Sequence, residues 1–169
     1  GSITSHIWVG GTRDNPSLGV TGEIAAGTVA GYPVTDASLD VSLSNHVLTI
    51  DRLTGKQGDG SFSASGTVDF NGMMDVDVTA NDMALGLFTG LAGVDEPVSG
   101  TASVTAHVGG AAHRPVADVS LSAKNGGVRG GTFDALAGEI QVRGRVVRVN
   151  QLTVHKYIGG VDYTAHVHG

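Results

Sequence analysis

The sequence predicts an all-β fold: an elongated, curled, mostly antiparallel sheet of about 11 strands, taco-like, with one apolar concave face. Three observations carry the prediction. The chain repeats itself at an offset of 99, the step from Pro16 to Pro115. Apolar residues alternate with polar ones along most segments. The composition, 27 Gly and only 5% aromatic residues in 169, suits narrow strands and tight turns better than packed helices.

An internal repeat outranks any single motif as evidence of architecture. The offset lays Val9, Gly10, Gly11 and Pro16 onto Val108, Gly109, Gly110 and Pro115, and Val20, Gly60 and Val68 onto Val119, Gly159 and Val167. Two related copies, 9–70 and 108–169, flank an insert of strand and helix over 71–107. Gly1-Ser2 reads as a cloning scar, so the chain is taken as a piece of something longer, one elongated unit over 3–169.

The elements follow in order. Leu39, Val41 and Leu43 face away from Ser38, Asp40 and Ser42, and Leu48 and Ile50 oppose Thr49 and Asp51. Phe62, Val68 and Phe70 alternate with Ser63, Ser65, Thr67 and Asp69. Met74, Val76 and Val78 then alternate with Asp75, Asp77 and Thr79. These two runs form a hairpin across Asn71-Gly72, a dipeptide that tolerates positive φ. A short helix is expected near 82–92, capped by Asn81 or Asp82 and carrying Met83, Leu85, Leu87, Phe88 and Leu91, placed to plug or cap the sheet. After it, Ala102, Val104, Ala106 and Val108 oppose Thr101, Ser103, Thr105 and His107. Val119 with Leu121, Ile140 with Val142, and Val147 with Val149 continue the alternation, which ends on Val161, Tyr163, Ala165 and Val167. Strands of roughly eight to ten residues give a sheet about 30 Å wide and, at about 4.8 Å per strand, about 50 Å long.

Composition also excludes functions. A formal charge of −6 with ten scattered Lys and Arg offers no basic face for nucleic acid. With no Cys there is neither disulfide nor thiolate chemistry. No run near twenty apolar residues spans a bilayer. Nothing resembles a catalytic constellation, and no cofactor is called for. His166 and His168 share a strand face near His155, and Asp75 and Asp77 share another, but neither set has a complete ligand pattern, so both read as solvated exterior. Gly58-Asp59-Gly60 lacks the tandem repetition of calcium-binding turns, and no Lys-Ser or Lys-Thr follows Gly109-Gly110 to make a phosphate loop.

The apolar face comprises Leu39, Val41, Leu43, Leu48, Ile50, Phe62, Val68, Phe70, Met74, Val76, Val78, Val104, Leu121, Ile140, Val142, Val147, Val149 and Val167. Two covers satisfy the physics. The residues pack on one another as a dry sandwich or solenoid core, as in an adhesive or stalk-forming β-repeat, or they line an open trough filled by something else.

The Gly-Gly-(x)n-Pro entry to each copy resembles the repeats of the TamB/AsmA-like family. So do Ser61-Phe62-Ser63-Ala64-Ser65-Gly66-Thr67-Val68 followed by Asp69-Phe70-Asn71-Gly72, and the run from Arg145 through Val149 to Val154. The likeness is one of strand rhythm over nearly the whole chain. It implies a periplasmic protein of the diderm envelope, anchored in the inner membrane, whose curled sheet passes glycerophospholipid toward the outer membrane beside a barrel partner of the TamA type. It also implies a part in outer-membrane protein assembly. On that reading the eighteen apolar residues hold acyl chains, and an isolated piece self-associates through its sheet edges or greasy face.

Overall fold

The computed structural model describes residues 3–12, 16–29, 31–91, 98–128, 130–144, 146–159 and 161–167. Eleven strands run β1 (Ile3–Gly11), β2 (Pro16–Val29), β3 (Tyr32–Ser44), β4 (Val47–Gln57), β5 (Gly60–Asp69) and β6 (Met73–Ala84). After the helix α1 (Leu85–Leu91) come β7 (Val98–Ala111), β8 (Arg114–Val128), β9 (Gly131–Arg143), β10 (Val146–Ile158) and β11 (Val161–Val167). All belong to one sheet in sequence order, each strand antiparallel to the next, and the sheet curls without closing into a barrel. Short turns link β3 to β4, β4 to β5, β5 to β6 and β7 to β8, whereas α1 intervenes between β6 and β7. Asn45 and His46 between β3 and β4, and Gly144 after β9, take positive φ, as two-residue reversals require.

Many strands are longer than the alternation predicts, 13 residues in β3 and β9 and 15 in β8. The ladder continues through bulges and glycine-rich ends, where the period-two signal lapses but backbone pairing does not.

The repeat reappears as register. Leu18 pairs with Leu43, and Ala117 with Val142; Val41 pairs with Ile50, and Ile140 with Val149. A bulge skips Asp51 in β4 and Asn150 in β10. Positive φ recurs at Gly11 and Gly110, at Gly31 and Gly130, and at Asn45 and Gly144. The correspondence stops at the last hairpin. Val68 pairs with Leu48, whereas Val167 pairs with Leu152. β10 runs two residues past the equivalent end of β4, so Gly60 and Gly159 are not equivalent.

The helix starts at Leu85, later than expected, and neither Asn81 nor Asp82 caps it. Both remain in β6, where Asp82 has φ +47 at a bulge and its N–H donates to Ser103 Oγ at 3.0 Å. The bulge turns Ala80 and Met83, three apart, onto one side. Residues 82–84, expected to begin the helix, therefore belong to a kinked strand. Beyond it, the Ala84 N–H donates to the Gln57 side-chain carbonyl at 2.8 Å. Ala80, Met83 and Leu87 form a buried cluster, packed by Tyr32 of β3, Phe62 of β5, Val104 of β7 and Phe88 of α1. The helix thus lies on the apolar face, over one end of the middle strands.

Candidate functional site: the apolar face

The register lines up the apolar residues in rows across the sheet. One row runs Ile7, Val20, Val41, Ile50, Gly66, Val76, Val108, Ala117, Val142, Val147 across ten strands without a polar side chain. A second runs Leu39, Leu53, Ala64, Val78, Ala106, Val119, Ile140, Val149. Leu43, Leu48, Val68 and Met74 lie in a third, and Phe62, Ala80, Val104, Leu121, Gly138, Leu152 and Val167 in a fourth. Directly paired residues of antiparallel strands project to one side, so these rows make one continuous surface.

Of the predicted lining residues, Phe70 alone falls outside the rows. β5 ends at Asp69, and Phe70 sits in the turn, 57% exposed, its N–H donating to His46 O. Phe62 and Val104 pack beneath α1. Val147 and Val167, toward the β11 edge, are 64% and 52% exposed. Sequence reasoning missed the share of β1 and β2: Ile3, Ile7, Val9, Leu18, Val20 and Ile24 occupy the same side. The 99-residue offset was the signal that could have found them, since it sets Val9 and Val20 on Val108 and Val119.

Among the described residues of the strands, charge enters this face near one corner. Thr132, Asp134 and Lys156 follow the parity of Leu136 and Val154, near the same ends of the strands as α1. Lys156 Nζ donates to Thr132 Oγ1 at 2.9 Å and lies 3.5 Å from Asp134 Oδ1. Asp134 also accepts the N–H of Tyr157, where the β9–β10 ladder has ended. That backbone bond, reinforced by the Lys156 ammonium, holds the Asp134 carboxyl below its ordinary value of 3.8.

The opposite face is polar: one row reads Ser65, Asp77, His107, Asp118, Gln141, Arg148. Here the register gives Asp75 and Asp77 a neighbour that their spacing along the chain does not show. β7 brings His107 opposite Asp77, with Nδ1 2.9 Å from Asp77 Oδ1 and 3.8 Å from Asp75 Oδ1. Spacing along the chain could not show a residue thirty positions away. The hydrogen bond to Asp77, with the charges of Asp77, Asp75 and Asp118, raises the His107 pKa above 6.5 against some desolvation. His155 and His166 also face this side, beside Thr164 and Thr153 respectively; His168 lies outside the described residues. Gly58-Asp59-Gly60 closes the β4–β5 hairpin, and Asp59 joins Asp82 and Gln57 around a depression of about 600 Å³.

Among the described residues, no helix is long and apolar enough to cross a membrane. No family model matches the chain, and no curated protein or solved structure matches it either.

Proposed function

We propose that the apolar face is a groove for the acyl chains of glycerophospholipids, and that the chain is a segment of a conduit carrying them between two membranes. The observation that carries this reading is the unbroken ten-strand row from Ile7 to Val147. A tail lying across the strands meets an apolar position about every 4.8 Å. Each methylene removed from water contributes about 0.8 kcal/mol. Neighbouring positions are nearly equivalent, so a tail held this way slides without crossing a specific pocket. The α1 cluster covers only one end of the middle strands. The headgroup stays at the groove's rim, in water.

With the resemblance to TamB/AsmA-like repeats, the same proposal sets the parent protein in the periplasm, anchored in the inner membrane and working beside an outer-membrane barrel. Its role there is outer-membrane biogenesis.

The test is lipid extraction and native mass spectrometry on the chain purified from bacterial cells, compared with Val41→Asp and Val142→Asp. Both residues lie in the ten-strand row and away from α1. The expected result is co-purifying phospholipid that both variants lose while their β-sheet circular dichroism is kept. A lipid-free protein that unfolds on either substitution would instead make the face a dry core, and the chain a structural β-repeat.

A further inference from the structure

We propose that Asp75, Asp77 and His107 form a binding site for a divalent cation of the zinc type, stapling β6 to β7 on the polar face. The inference does not depend on the lipid groove, which lies on the other side of the sheet. Two oxygens from Asp75 and Asp77 and one imidazole nitrogen from His107 lie within 4.8 Å of one another. Ligands of one tetrahedral zinc stand about 3.4 Å apart, from bonds of about 2.0–2.1 Å. Closing the present spacing therefore takes only side-chain rotation, with no backbone movement.

The frame is rigid where it matters. β6 and β7 are interior strands, hydrogen-bonded on both sides by β5 and β8. His107 is the register partner of Asp77, and Gly109 is the partner of Asp75. A Cβ at Gly109 would stand 3.2 Å from His107 Nε2. A side chain there would crowd the ring where it stands. All three residues fall in the 71–107 insert between the two copies, so the repeat does not duplicate the triad.

The donor set selects the ion. Two carboxylates sharing one imidazole leave uncompensated negative charge, which a divalent cation neutralises better than a proton does. One nitrogen with two oxygens suits zinc and its neighbours in the transition series. Calcium asks for six to eight oxygens, more than this surface offers. Water completes the shell, because all three side chains are largely exposed. Asp118, opposite His107 on β8 and bonded to the Gln141 amide, adds negative potential beside the site.

The experiment is isothermal titration of zinc chloride into the full chain, into His107→Ala and Asp77→Asn, and into His155→Ala as control, with circular dichroism to check folding. The expected result is one equivalent bound, weakened about tenfold or more in the first two variants and unchanged in the third. No saturable binding up to about 1 mM would overturn the site. So would binding that survives His107→Ala. Calcium binding as tightly as zinc would overturn the chemical class.

Discussion

Met83→Ala measures what α1 contributes to this sheet. Met83 is the largest fully buried side chain among the described residues, at 1% exposure, and sits between Ala80 and Leu87. Returning such a side chain to water costs about 1.5–3 kcal/mol, and the void left behind adds to that. Buried Met→Ala changes span about 2–5 kcal/mol, and the value depends on how far the surroundings collapse. Here the lid is a helix of seven residues, free to settle into the gap, so the loss should fall near 2.5 kcal/mol, at the low end. For a chain of this size that is about 5–10 °C in Tm. Urea unfolding, followed by far-ultraviolet circular dichroism and by the fluorescence of Trp8, reads the loss twice. The sheet signal reports every strand, whereas Trp8 reports β1 at the far edge. Coincident transitions that shift together would show that the α1 cluster and β1 unfold as one unit. Val147→Ala is the control: it lies on the same face but is 64% exposed, and should stay within about 0.5 kcal/mol. A Met83→Ala loss no larger than the control's would refute the reasoning, because the helix would then contribute nothing by packing.

Three further substitutions probe the backbone and the charged corner of the groove. Gly66 in β5 has φ +140, and an added Cβ would press on the Asp75 carbonyl and stand 2.6 Å from Val76 Cα. Gly66→Ala should therefore cost about 2 kcal/mol or more. Gly58→Ala, in a turn with φ +58 and open space around it, should cost about 1 kcal/mol in the same urea titration. Equal losses would show that space in the sheet is not limiting. Asp134 has a lowered pKa, so its stabilising contribution is present above the ordinary carboxylate range and is lost as pH falls through the folded-state value, below 3.8. The urea midpoint of Asp134→Asn should lie below the parent's at neutral pH and converge with it in acid. A gap that stays constant into acid would refute the assignment.

Much of the fold is legible in the chain because period two is a local property. In Met74 to Ala80 the apolar and acidic residues sort themselves to opposite faces whatever the neighbours are, and Asn71-Gly72 names its own hairpin. The repeat is legible for the same reason, since equal spacing of turns gives equal strands. Where a bulge intervenes, that logic fails. Met83 reads as a helix position with Leu87, but one extra residue in β6 keeps it in the strand and turns it to the side of Ala80. Phe70 looks like one more strand position, yet pairing ends at Asp69.

The sequence by itself determined the fold class, the strand-and-turn rhythm and the existence of one apolar face, because alternation, glycine turns and composition act within a few residues of one another. Only the tertiary structure decided what lies beside what. Register joined Ile7 to Val147 in one row and brought His107 to Asp75 and Asp77. It also set Asp134 and Lys156 on the greasy side and laid α1 over the middle strands. Register is a property of pairs of strands, fixed jointly by turn length and bulges, so no stretch of chain read alone contains it.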